Sequence, residues 1–199
     1  MARTIKQIGW LITVSMLVLG FSSPTWAGWK LDSNSSLIGF SSVKNDSVME
    51  QHTFRHLTGR INNEGDVLLV VDLTSVDTQI KIRDERMKKE LFHTDKFPQA
   101  DIKAKVDIAM LSEMTIGETV VDEIAFSLAL HGVTKDFTTT VQLTKLDDDG
   151  LLVTTLKPVQ ISAATFGLDT GIGTLMKIAK LNSILLTVPV SANLVFIPN

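Results

Sequence analysis

Cysteine is absent from the 199-residue chain, proline occurs only five times, and basic residues are outnumbered by acidic ones. Without thiols there is no thiolate nucleophile, no cysteine-ligated metal and no disulfide, so packing alone must hold the fold. Proline-rich linkers and internal repeats are also missing, which leaves no seam for dividing the chain. No Gly-x-Ser-x-Gly elbow occurs, and no glycine-rich loop joins a strand to a helix. Support for the commonest serine-hydrolase and phosphate-cradling chemistries is therefore lacking.

What is present begins with a leader-like segment. Arg3 and Lys6 precede an apolar run over residues 8–21, Ser22, Ser23 and Pro24 break it, and Thr25-Trp26-Ala27 places small residues at −3 and −1 before Gly28. This is the pattern of a cleaved secretory signal peptide at 1–27, and it implies export. The apolar run is too short to span a ~30 Å hydrocarbon core, so no stable membrane insertion of the mature chain is expected. Removing Arg3 and Lys6 from the 19 basic residues leaves 17 against 22 acidic ones, a net charge of −5. That balance argues against nucleic acid or an anionic membrane surface as the main partner. Residues 28–199 are one domain by length.

The mature chain reads as short strands at regular spacing. Strands are expected over 29–32, 37–44, 53–61 and 67–79. Further strands follow from alternation at Ile102, Ala104, Val106 and Ile108, and at Val120, Ile124, Phe126, Leu128 and Leu130. Residues 135–146 and 151–161 flank the turn Asp147-Asp148-Asp149-Gly150, and residues 184–197 place seven apolar side chains in strict alternation on one side. So many antiparallel strands favour a closed barrel, because closure removes exposed edges.

One charged stretch interrupts this pattern, "SVDTQIKIRDERMKKELFHTDKFPQA", residues 75–100. Asp84 and Glu85 precede Lys88 and Lys89 at i,i+4, Met87 and Leu91 share a face, and Phe97-Pro98 ends the segment. The spacing predicts an amphipathic helix between two strands, whose apolar face would cover the mouth of the barrel. Helical spacing recurs over 172–181, with Asn182 as its stop.

His52 and His56 have zinc-like spacing without the glutamate of a metalloprotease helix. On a strand they would lie about 13 Å apart, too far to share one metal. The acidic turn at Asp147–Asp149 lacks the spacing of a calcium loop. No catalytic or metal-binding residue is assigned.

The order of several short pieces resembles the YceI-like family of lipocalin-like polyisoprenoid-binding proteins. These are Trp29-Lys30-Leu31-Asp32 with Ser36-Leu37-Ile38-Gly39-Phe40, Phe54-x-x-Leu57-x-Gly59-x-Ile61, and Ser75-Val76-x-Thr78 before Arg83-Asp84-x-x-Met87. Phe97-Pro98-x-Ala100-x-Ile102, Leu130-His131-Gly132-Val133-Thr134-Lys135 and Phe166-Gly167-Leu168 continue it. The resemblance implies an all-β fold, an extended antiparallel eight-stranded lipocalin-like β-barrel with one or two short lid helices. It also implies a periplasmic binding protein, not an enzyme, that holds a long-chain amphiphilic lipid. The bound molecule would be a polyprenol or isoprenoid quinone, with no other cofactor, and the resemblance allows a homodimer.

Candidate lumen residues are Phe40, Phe54, Met87, Phe92, Phe126, Leu128, Phe166, Met176 and Leu186; a solid core would use the same residue types. Arg83, Asp84 and His131 are candidate head-group contacts. The structural alternatives are an ion pair and N-cap for Arg83 and Asp84, and for His131-Gly132 a hairpin turn with glycine at positive φ. A barrel packed solid, acting as a stress or scaffold protein through protein contacts, is the other function open at this point. Large side chains filling the lumen would favour the scaffold, and a continuous apolar space the carrier.

Overall fold

The structure, a computed structural model, describes residues 28–199; the expected signal peptide lies outside the described residues. One sheet of twelve strands closes on itself, and several of its strands are successive halves of one bent stave, which reduces the barrel to eight antiparallel staves. The first stave is β1 (Gly28–Leu31) followed by β2 (Leu37–Lys44), and the second is β3 (Val48–Phe54) followed by β4 (Leu57–Asn62). The third is β5 (Asp66–Asp72) with the two-residue β6 (Val76–Asp77). Then come β7 (Gln99–Lys105), β8 (Thr119–Leu130) and β9 (Val133–Lys145). Leu151–Thr155 (β10) and Val159–Ser162 (β11) make the seventh, and β12 (Thr187–Pro198) is the last. β12 closes the ring by pairing with β10 on one flank and with β1 on the other.

The strand breaks differ from the sequence expectation. The strand expected over 53–61 is two strands, because the chain turns at Arg55 and His56, where Ser75 Oγ accepts the His56 N–H at 3.0 Å. The run 151–161 is likewise split around Pro158, which has no N–H to donate to a ladder. Ile108 does not continue its strand. It starts a short helix, α2 (Ile108–Glu113), because the Asp107 carboxylate accepts the N–H groups of Ala109 (2.9 Å) and Met110 (3.3 Å).

Two helices cover the opposite end. The first, α1 (Lys81–Arg86), runs directly into a π-helical turn at Met87–Phe92 and ends on His93 at φ +49°. The wider π-turn changes the side-chain register from the expected i,i+4 pairs. Lys88 instead meets Glu85 at i,i+3 (3.0 Å), Lys89 meets Glu90, and Asp84 turns back toward Thr78. The second, α3 (Asp169–Ala179), is stopped by Lys180 in the left-handed conformation, two residues before the expected stop at Asn182. α3 crosses the π-turn so closely that a Cβ on Gly171 would lie 2.4 Å from the Glu90 carbonyl oxygen and 2.9 Å from Leu91 Cα. Gly171 is therefore the contact that sets the lid.

That contact generates a matched pair of expectations. Gly171→Ala should destabilise the protein by about 1–3 kcal/mol in a urea melt, through overpacking against backbone that cannot yield. Gly173→Ala, whose Cβ would meet nothing within 4 Å, should be neutral or stabilise by about 0.5–1 kcal/mol through helix propensity.

Candidate functional site: an apolar lumen

Because successive strand residues face opposite sides, each stave sends every second side chain inward. These side chains do not fill the interior. They leave a cavity of about 290 Å³, whose surface is apolar throughout, even where Thr139, Thr155 and Ser191 contribute to its wall. Alanines at 100, 104 and 192 stand where larger residues would close the space. Leu111 of α2, 1% exposed, lines one end, and Leu91, Phe92, Leu168 and Ile172 of the lid segments line the other. Phe40 stacks on Phe54 (5.3 Å) and Phe54 tilts against Phe92 (5.9 Å), so an aromatic row joins the wall to the lid.

Five of the nine candidate lumen residues, Phe40, Phe54, Phe92, Phe126 and Leu128, lie in the cavity wall. Met87, Phe166, Met176 and Leu186 do not. Met87 is buried within the lid segment, and Phe166 is fully buried with its ring 6.3 Å from that of Phe137. Met176 is half-buried on α3. Leu186 is 41% exposed, because it precedes β12 and the inward alternation begins only at Val188. Wall residues that sequence reasoning missed include Leu91, Leu111 and Ile172, contributed by helical segments that close the ends.

The three candidate head-group residues do not form one cluster. Arg83 Nη1 is 2.8 Å from Glu50 Oε1, and its Nη2 donates to the Thr78 carbonyl (2.7 Å), so the ion pair is made to β3 and not to Asp84. The N-cap position of α1 is Ile80. Asp84 accepts the Thr78 N–H (2.8 Å) and holds the chain that enters the helix. His131 and Gly132 both take positive φ in the turn between β8 and β9. There His131 packs against Phe97 (4.6 Å) and His93 (5.6 Å), with Nδ1 3.0 Å from the Phe166 carbonyl.

A polar layer unassigned from sequence lies above the aromatic row. His52 is 4% exposed, its Nε2 is 2.9 Å from Ser42 Oγ, and its ring is 5.1 Å from Phe40. Glu50 bridges Arg83 and Lys44, the latter at 3.0 Å. The signal for this layer was present in β3, where Glu50, His52 and Phe54 fall on one face at a spacing of two. Burial holds the His52 imidazole below its ordinary value, and the nearby Arg83 charge lowers it further, against the opposing pull of Glu50 and Asp84. Burial alone would raise the Glu50 carboxyl, yet hydrogen bonds from Arg83 and Lys44 outweigh it and hold the group below the usual carboxylate range. Among the described residues no three His, Asp or Glu side chains converge as a metal site, and no helix is long and apolar enough to cross a membrane.

A closed antiparallel barrel with helical lids around an apolar space is the architecture of a lipocalin-like binding protein. The chain belongs to the YceI-like family, whose domain model matches residues 29–196. A polyisoprenoid-binding domain from Saccharophagus degradans, implicated in plant cell wall breakdown, is 35% identical. Its structure superposes with a TM-score of 0.85 over 87% of this chain and 99% of that one. The structure of Burkholderia cenocepacia BcnA shares the fold at 17% identity, with a TM-score of 0.65 over 83% of this chain and 98% of that one. No curated protein matches the sequence.

The polar layer makes stability depend on pH. Both folded-state values are depressed, so both groups favour the folded state above their ordinary values and lose that contribution on acidification. Wild-type melting temperature should begin to fall as pH drops below 6.5, the ordinary value for His52, with a further fall below 4.5 from Glu50. In His52→Gln the first of these stages should vanish and the second remain, as differential scanning calorimetry across pH 4–8 would record.

Proposed function

We propose that the protein is a periplasmic carrier that holds an isoprenoid-type lipid, a polyprenol or isoprenoid quinone, in the barrel lumen and performs no covalent chemistry. The observation that carries this reading is the apolar cavity left unfilled between α2 and the lid. Each CH₂ moved from water into such a wall contributes about 0.8 kcal/mol, so a few isoprene units suffice for useful affinity. An unfilled lumen supports a carrier over a scaffold, whose barrel would gain stability from larger side chains at Ala100, Ala104 and Ala192. The polyisoprenoid-binding description of the Saccharophagus degradans relative supports the ligand class. Export is supported by the leader pattern of residues 1–27.

The lumen is testable by filling it. Ala192→Phe should keep the fold while occupying the space a lipid tail would take. Titration of the delipidated protein with a prenylated quinone should give saturable one-to-one binding for wild type. Losing contact with even two CH₂ groups costs about 1.6 kcal/mol, so the variant should bind more than about tenfold more weakly. Equal affinity in a folded Ala192→Phe protein would exclude the lumen as the binding site.

A further inference from the structure

The inward rows of β2 and β3 change from apolar to polar within three rungs. Ile38 faces Phe54, Phe40 faces His52, and Ser42 faces Glu50. The first rung and Phe40 line the cavity. Beyond it, the polar layer is completed by Arg83 of α1, which pairs with Glu50, and by Lys44. The charges acting on His52 are those of Arg83, Lys44, Glu50 and Asp84, with Asp77, itself paired to Arg55, also near. Arg83 and Lys44 share Glu50 Oε1 and Asp84 supplies the second negative charge, so the layer is neutral overall.

Two polar atoms in this layer are buried without a partner among the described residues, His52 Nδ1 and Arg83 Nε. A buried polar atom left unmatched is costly, and native structures tolerate few of them. The His52 ring can meet either kind of uncharged oxygen. When Ser42 Oγ–H donates to Nε2, Nδ1–H donates to a carbonyl; in the other tautomer Nε2–H donates to Ser42 and Nδ1 accepts from a hydroxyl. A phosphate would instead bring one or two further negative charges into a layer that is already neutral overall, and an unpaired buried charge is strongly disfavoured.

We propose that this layer receives the polar end of the lumen's lipid, and that this end is an uncharged oxygen head, carbonyl or hydroxyl, bound by His52 Nδ1. The proposal rests on the lumen being the lipid site and adds that the protein discriminates against phosphorylated isoprenoids. His52 is then a specificity-determining residue.

Three probes of equal chain length test it on the delipidated full-length mature protein: a prenylated benzoquinone, a prenyl monophosphate and a prenyl hydrocarbon without a head, each measured by isothermal titration. The quinone should bind roughly tenfold more tightly than the hydrocarbon, the worth of one buried hydrogen bond. The phosphate should show no such advantage. His52→Leu should erase the quinone's advantage over the hydrocarbon, and His52→Gln, which keeps a hydrogen-bonding group, should retain part of it. Tightest binding of the phosphate, or a quinone advantage that survives His52→Leu, would overturn the head-group assignment while leaving the carrier reading in place. Failure of wild type to hold even the hydrocarbon would overturn both. The order of the three probes on wild type decides the matter should a variant fail to fold.

Discussion

Everything else in this molecule depends on the closure of the sheet through β12. Its C-terminal part pairs with β10 on one side and β1 on the other, and Phe196 sits where both ladders meet, opposite Leu151 and opposite Leu31. Its N-terminal part pairs with β11 and β2 in the same two-sided way. The chain has no cysteine for a disulfide, and closure leaves no long unpaired edge at this seam. Closure also has a geometric consequence: with the backbone paired around the ring, the interior is bounded and its contents are set by side-chain volume. Alanine at three inward positions is enough to keep a space open.

The two ends of that space are built differently. One is closed by a short helix whose start is set by Asp107 and whose Leu111 points into the barrel. The other is covered by a π-turn and α3 pressed together at Gly171, with Phe92 completing the aromatic row that begins at Phe40. The same end carries the change from apolar wall to polar layer. In the carrier proposed above, the lipid lies with its tail toward α2 and its head toward Glu50, His52 and Arg83. The lid is held by buried Met87, Leu91, Phe92 and Ile172, by the close backbone contact at Gly171 and by the Arg83–Glu50 ion pair.

Much of this was legible in the sequence, and the exceptions have physical reasons. Strands β8, β9 and β12 read clearly because each is long and starts or ends at a marked turn, and the last also alternates strictly. The interrupted staves did not, although the odd spacing of Phe54 and Leu57 marks the first break and Lys157-Pro158 the second. The helix at Ile108 was read as strand because Val106 and Ile108 preserve a spacing of two; the capping Asp107 was the overlooked signal. The π-turn had no signature that a helical wheel could register. Wall residues on long strands were identifiable by alternation, whereas Phe166 and Met176 were placed by residue type alone, Leu186 by an alternation that begins before β12 does, and all three fell outside the cavity. His52 was considered only as half of a metal pair, although its spacing from Phe54 already put it on the inward face.

The most direct test of the carrier account is mass spectrometry of an organic extract from the mature protein, purified from its native compartment without detergent. The account predicts one isoprenoid species at close to one molecule per chain. A lipid-free protein of full stability, or an unselective mixture of bulk phospholipids, would contradict it.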